Sequence, residues 1–481
     1  MNITDLPIEL LMAICCQLPH VSELLSFESA CRTFKSAVQQ EEVWKRRIRA
    51  DYSLLTYVSE KSPVFRRRGF RQLYRALRNP QVFVWGSKGD GRLGIPGETL
   101  QKYGGFYREI NYPFWLKSMS DQGVSMIVCG GYMMLALTHK NQLYFWGSFN
   151  ANSPMYPQAQ VYETPILLDV FPEKTQIQHV AAGRSHALAL TKEGKLYQFD
   201  NSEEKASLVT FDGDQHFISQ SACGFNSSVC LTKDQKIFYW KYNTGIKTET
   251  YRHLTTPQLK EGELINKVAA GEHFVLGSTN LGRAIKWEVI NPPTEEQEVY
   301  TPSELLNLSL EDELAGRFLN EAASLNVGHV VAQFRNFGLF DDKGKLWIGK
   351  CVPSVHSEEL EWSLEPPRKF EDNGNPILCS FGDWHTGVVF DNGHLYTWGE
   401  HGLGNGPPAA GSTPEPQRVG YFKDNYFVFY VSCAGWHTAA LAVDLSIPAA
   451  AEPPEYPEPA FERTIPQRHR FMTPQYDNQD Y

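Results

Sequence analysis

The sequence predicts a mainly β fold: a seven-bladed β-propeller preceded by a small three-helix segment and a helical linker. Three observations predict it. One phrase returns seven times along the 481 residues, the first and last copies are complementary halves, and the first fifty residues carry helical spacing instead of strand alternation. The phrase is an apolar or small run, a Gly, often a His three residues on, then Leu-Thr, and finally an aromatic-Gly. A repeat of this length is one supersecondary unit used many times.

In the N-terminal segment, residues 1–49, apolar residues recur at intervals of three and four. Asp5 is placed to cap a first helix, with Pro7 in its first turn, and Leu6, Leu10, Leu11 and Ile14 form one face. Pro19-His20 breaks this helix and Ser22-Glu23-Leu24-Leu25-Ser26 begins another. Arg32-Thr33-Phe34-Lys35 continues it, and Val43-Trp44 closes a third short apolar cluster. So short a segment buries too little surface to stand alone and calls for a partner. Its text resembles the F-box family: a Leu6-Pro7-Ile8-Glu9-Leu10-Leu11 opening, a central Leu24-Leu25, Cys31-Arg32-Thr33-Phe34, and a closing Val43-Trp44. The resemblance implies a three-helix cluster that docks on the Skp adaptor of a cullin-RING ubiquitin ligase. The adaptor anchors it implies are Leu6, Pro7, Leu10, Leu11, Ile14, Leu24, Leu25, Phe34 and Trp44. The alternative is an ordinary helical hairpin packed on the propeller.

Residues 50–80 form the linker. Phe70 to Leu77 suits a helix that turns Phe70, Leu73, Tyr74 and Leu77 inward. The basic run Arg66-Arg67-Arg68 reads as a solvated face. A net charge of −10 argues against phosphate-backbone binding as the main activity.

Residues 81–444 carry the repeats. The aromatic lies sixteen positions after the Gly in five copies: Gly130 to Trp146, Gly183 to Phe199, Gly224 to Trp240, Gly271 to Trp287 and Gly382 to Trp398. Gly328 and Gly435 open poorer copies. Successive Gly positions advance by 53, 41, 47, 57, 54 and 53 residues, room for about four short strands with their turns. Turn text such as Lys192-Glu193-Gly194 and Asp391-Asn392-Gly393 separates the runs, with Gly supplying the positive φ of a tight hairpin. Trp85-Gly86 has no opening Gly upstream, and Gly435 has no aromatic-Gly downstream. The economical solution is that Val82-Phe83-Val84-Trp85 completes the blade begun by Phe427 to Val443, which closes the ring.

The repeats resemble the regulator of chromosome condensation family of seven-bladed propellers. The stretch Trp85-Gly86-Ser87-Lys88-Gly89-Asp90-Gly91-Arg92-Leu93-Gly94 is especially similar, and Trp398-Gly399-Glu400-His401-Gly402-Leu403-Gly404 echoes it. The resemblance covers about three quarters of the chain. WD repeats fit less well, because no Trp-Asp pair ends a unit, and recurrent double Gly of the kelch kind is absent.

No apolar run approaches the length that spans a bilayer, and Met1 to Leu11 has no basic leader, so neither a membrane span nor a secretory signal is expected. The nine Cys are scattered. Cys129, Cys223 and Cys433 sit just before opening glycines and read as small packing residues in a reducing compartment, the cytosol or nucleus. The Pro-rich residues 445–481 are expected to form a disordered tail.

No catalytic, cofactor or metal site is expected. His186, His385 and His437 recur because the repeat recurs, and each reads as hydrogen-bonded within its own blade. Cys433-Ala434-Gly435-Trp436-His437 is too isolated for zinc, which takes four ligands in a closed shell. Gly86 to Gly94 follows a strand and precedes no helix, so turn chemistry explains it better than phosphate binding. The acidic insertion Asn291 to Ser324 contains Thr301-Pro302-Ser303-Glu304, a helix start, with Leu306, Leu310, Leu314 and Phe318 on one face. It is either a decoration on one blade or a substrate-contacting lobe.

An adaptor-docking module joined to a broad rigid propeller is a receptor architecture, and the combination resembles fungal F-box proteins of the SCF-associated factor group. The expected function is substrate recognition for a Skp-cullin-F-box ubiquitin ligase. The expected partners are the Skp adaptor, the cullin and a protein substrate held by the propeller, with no cofactor, nucleic acid or membrane. Alternatives are a guanine-nucleotide exchange factor for a small GTPase and an F-box scaffold outside any ligase, because fold does not transfer function.

Overall fold

The computed structural model describes residues 3–18, 21–52, 63–99, 109–149, 160–200, 205–242, 250–289, 305–354, 359–372, 374–406, 412–423 and 425–445. The expected tail beyond Leu445 and the expected helix start at 301–304 lie outside them. So do the side chains of Arg66, Arg67 and Arg68.

Four helices, one more than expected, make the N-terminal cluster: Ile8–Gln17, Val21–Ala30, Arg32–Val38 and Glu41–Tyr52. The extra boundary falls at Cys31, whose extended backbone (φ −162°, ψ 168°) interrupts the middle helical run. Asp5 is not the cap of the first helix. Pro7 occupies that position, and its carbonyl accepts from the amides of Leu10 and Leu11 at 3.0 and 3.2 Å. The linker helix Pro63–Leu77 is kinked at Gly69, which has φ 71°. Phe70, Leu73, Tyr74 and Leu77 all face inward, as their spacing predicts, and they join the helical cluster to the adjoining blade in one apolar core. Arg71 makes a bidentate pair with Glu28, both bonds at 2.8 Å, and its guanidinium lies 5.3 Å from the Trp44 ring.

The rest of the described chain is mainly strand. Five four-stranded sheets and one nine-stranded sheet are formed. A typical sheet is the up-and-down meander Val124–Cys129, Met133–Thr138, Leu143–Gly147, Tyr162–Leu167. Its second strand is buried on both faces, and so are the second strands Ala187–Thr191, Ser227–Thr232, Phe274–Thr279 and His385–Phe390. This is the mark of sheets packed face to face. The innermost strands neighbour one another in a closed circuit: Val124–Cys129, Ile177–Ala182, Ile218–Cys223, Ile265–Ala270, Val327–Gln333, Pro376–Phe381, Tyr426–Ala434, and back to the first. The ring closes as the half-repeats predict. Gln81–Ser87 pairs antiparallel with His437–Asp444, placing Val82 opposite Leu441 and Trp85 opposite Thr438.

Two expectations are corrected. Gly328 does not open a hairpin, because it lies inside the innermost strand Val327–Gln333; the turn there is Phe334-Arg335, with Phe334 at φ 52°. The insertion does not form the expected helix. Leu305–Ala315 is a strand that pairs parallel with Ser207–Phe211 through its first half and with Thr250–Thr255 through its second. It thereby fuses two meanders into the nine-stranded sheet. Leu306-Asn307-Leu308-Ser309-Leu310 alternates with period two, and two open sheet edges were available to pair with it. Leu308 is fully buried, Leu310 is exposed, and Leu314 and Phe318 pack against the core beside it.

Candidate functional sites on the helical face and at the axial mouth

The nine anchor residues expected in the helical cluster divide into three sets. Leu11, Leu24, Phe34 and Trp44 are buried within the chain. They form its interior: the Trp44 indole N–H donates to the Val38 carbonyl at 2.7 Å, its ring lies 5.3 Å from that of Tyr74, and Phe34 stacks on Phe27 at 3.9 Å. Leu6 and Ile14 are half-buried. Pro7, Leu10 and Leu25 are exposed, Leu10 by 52% and Leu25 by 41%. Ile3 and Ile8, not among the expected anchors, are exposed beside them in the chain. An apolar surface of this kind on an otherwise well-packed cluster marks an interaction site.

The blades are fixed to one another by the repeat residues. His186 Nε2 meets Ser228 Oγ at 2.9 Å and His385 Nε2 meets Thr438 Oγ1 at 2.7 Å, while His437 Nε2 lies 3.3 Å from the Met133 carbonyl. Each partner stands on the next blade, so the expectation of a bond inside one blade is corrected: the histidines tie neighbours together. Burial lowers the pKa of His186 and of His385 to about 3, so both are neutral. The Gly-rich stretch after Trp85 serves the same purpose. The Trp146 indole donates to the Arg92 carbonyl at 3.1 Å, and a Cβ on Gly94 would stand 2.9 Å from that ring.

At one end of the ring the turns between first and second strands converge on a concave mouth of about 160 Å³. Its wall is aromatic: Tyr132, Phe225, Phe334, Trp384 and Trp436. Trp384 is 50% and Trp436 38% exposed. Arg184 donates to the Tyr132 hydroxyl at 2.9 Å and lies over Phe225, 4.8 Å from the ring centre. Phe225 and Phe334 meet at 5.2 Å. Burial pushes the Asp383 carboxyl up, and Arg184 partly opposes the shift. Among the described residues no group of three His, Cys, Asp or Glu side chains is placed to hold a metal ion. Exposed Trp and Arg with a half-buried Tyr around a concavity are suited to gripping a polypeptide segment. The sequence held a signal for this mouth: these residues occupy the two turn positions after each opening Gly or its equivalent, where the repeat itself demands no aromatic.

Comparison with known proteins agrees with both modules. Residues 3–50 match the F-box-like family, and residues 80–137 and 392–441 match the regulator of chromosome condensation (RCC1) repeat. The X-linked retinitis pigmentosa GTPase regulator of Canis lupus familiaris is 24% identical over 388 residues, covering 74% of this chain and 36% of that protein. The guanine nucleotide exchange factor SRM1 of Saccharomyces cerevisiae is 29% identical over 170 residues, covering 30% of this chain and 35% of that one. The chain thus spans about a third of the length of these curated relatives. Among solved structures, Prp20p from Saccharomyces cerevisiae superimposes with a TM-score of 0.55 at 17% identity, covering 78% of this chain and 95% of that one, a likeness of fold. The chain thus joins an F-box-like segment at residues 3–50 to RCC1-type repeats that fold as a propeller.

Proposed function

We propose that the protein is the substrate-recognition subunit of a Skp-cullin-F-box ubiquitin ligase, working in the cytosol or nucleus and not itself catalytic. The observation that carries this reading is the exposed apolar set Pro7, Leu10 and Leu25, within the F-box-like residues 3–50, on helices whose opposite side is packed into the chain. The Skp adaptor covers that set and links the chain to the cullin. The aromatic mouth holds a segment of the substrate. Acceleration comes from proximity, since substrate and ubiquitin donor are held in one assembly.

The test uses the full chain carrying Leu10→Ser and Leu25→Ser. Both side chains are exposed, so the fold should persist with an unchanged melting temperature, while adaptor co-purification falls at least tenfold and candidate substrates accumulate in cells. Undiminished adaptor binding by this variant would sink the proposal. A second reading, nucleotide exchange on a small GTPase, is favoured by the similarity to SRM1. It predicts that the same variant retains full activity in releasing nucleotide from a GTPase, with no change in protein turnover.

A further inference from the structure

Below the aromatic mouth, the axial channel changes character. In every innermost strand the pairing slips by one residue near the start, as between Ile265 and Lys267. The slip sets the following residue at one equivalent position on every strand of the ring, where a bulge re-aims the side chain. On four consecutive strands that residue is His179, Gln220, Lys267 and His329; on the other three it is Leu378, Tyr430 and Met126. One side of the channel is therefore nitrogen-rich and the other apolar. The Lys267 charge acts on His179, two strands away, and on His329, one strand away.

The charge of this site is unbalanced. The innermost strands contain no Asp or Glu, and Lys267 is their sole Lys or Arg. The second strands behind Lys267 and His179, Phe274–Thr279 and Ala187–Thr191, carry no charged residue or histidine. Behind His329, Asn336–Asp341 carries only Asp341, whose carboxylate accepts from the Trp347 indole at 3.0 Å. Tyr430 and the buried thiols of Cys129, Cys223, Cys379 and Cys433 complete the titratable groups of the channel wall. Glu272, Arg335, Arg184 and Asp383 stand at the mouth, where Glu272 is paired to Arg335 at 2.8 Å. Among the described residues the Lys267 ammonium makes no ion pair or hydrogen bond, and the His179 and His329 imidazoles make no hydrogen bond. All three residues are only partly buried.

We propose that the channel wall formed by Lys267, His179 and His329 is a binding site for a single tetrahedral oxyanion of the phosphate or sulfate class. An ammonium and two imidazolium groups arriving from three strands supply donors to three of its oxygens. The anion removes the charge imbalance, which a buried cation otherwise bears alone. Burial lowers the Lys267 pKa, and burial together with the Lys267 charge lowers His179 to about 4 and His329 to about 3. A bound anion favours the protonated imidazoles and raises their pKa values. Binding therefore takes up protons and strengthens as pH falls.

The test is calorimetric titration of the full chain with sulfate, whose charge is constant between about pH 6 and pH 8. Expected are binding that is about tenfold tighter at the lower pH, loss of at least tenfold in Lys267→Met, and loss of the pH dependence in a His179→Asn, His329→Asn double variant. Thermal melting of each variant confirms the fold; replacing an unpaired lysine with methionine should not lower it. A phosphoserine peptide and its unphosphorylated form distinguish the sources. Competition with sulfate by the phosphoserine peptide alone identifies a group carried on a chain that enters by the mouth. Competition by inorganic phosphate, and by neither peptide, identifies a free anion. Sulfate binding undiminished in a folded Lys267→Met, or no binding by the wild-type chain at millimolar sulfate, overturns the proposal.

Discussion

His186, His385 and His437 each seal the inner hairpin of one blade and reach into the next. In this role their neutrality is a source of pH sensitivity. Burial lowers His186 and His385 to about 3 in the folded chain, against about 6.5 for an unburied imidazole. The unfolded chain therefore binds more protons between these values, and stability falls as pH drops from about 6.5 toward 3. The expected outcome is a urea midpoint that declines steadily below pH 6.5, with a shallower decline in a His186→Gln, His385→Gln double variant. Each lost inter-blade bond should cost about 1 kcal/mol at neutral pH. Equal slopes for the two proteins would remove these histidines from the account. The opening glycines belong to the same device. A Cβ on Gly382 would stand 2.4 Å from Cε1 of His385, so Gly382→Ala should destabilise by about 1–3 kcal/mol in the same titration. The sequence marked these positions because the repeat recurs. It could not assign the partners, because Ser228 and Thr438 sit on the following repeat and vary in type.

At the scale of elements, the linker helix is a mortar joint between two modules. Tyr74 packs on Trp44, Arg71 grips Glu28, and Leu73 and Leu77 belong to the core shared with the blade that holds Val82 and Leu441. Trp44 is thus an interior residue, and Trp44→Ala should cost about 3–5 kcal/mol by leaving a cavity. Limited proteolysis should then cut the N-terminal helices first, a loss that the exposed Leu25→Ser change should not reproduce. The helix was legible in the sequence because its apolar period is regular. The same is true of ring closure, which two half-repeats at Trp85 and Gly435 announce. The strand Leu305–Ala315 was not legible: a Thr-Pro-Ser-Glu helix start just upstream competed with the alternation of Leu306, Leu308 and Leu310, and only the two waiting sheet edges decide between them. Leu308→Asp tests that pairing. It should open the flanking strands Ser207–Phe211 and Thr250–Thr255 to faster amide hydrogen exchange, with the more distant strands of the same sheet unchanged.

At the scale of the whole molecule, the two modules cannot be treated as beads on a string. One apolar core runs from Leu11 through Trp44, Tyr74 and Leu77 to Phe83 and Leu441, so the exposed face of the helices is held at a fixed orientation to the propeller axis. The sequence showed both modules and their order, because each has its own periodicity. It did not show their rigid union, because that depends on side chains drawn from three segments, each apolar for its own local reason. Under the proposed function this rigidity sets the distance between bound substrate and the ubiquitin donor, and it can be removed without touching either binding surface. Six flexible Gly and Ser residues placed between Asn79 and Pro80 should release the helical module from the blade. Adaptor affinity, set by Pro7, Leu10 and Leu25, should change less than about twofold, as should substrate affinity at the mouth. The rate of ubiquitin transfer should fall about tenfold, because a wandering substrate spends less time in reach of the donor. Small-angle scattering would confirm that the insertion loosens the particle. A loosened protein that still transfers ubiquitin at the full rate would show that the shared core serves stability alone.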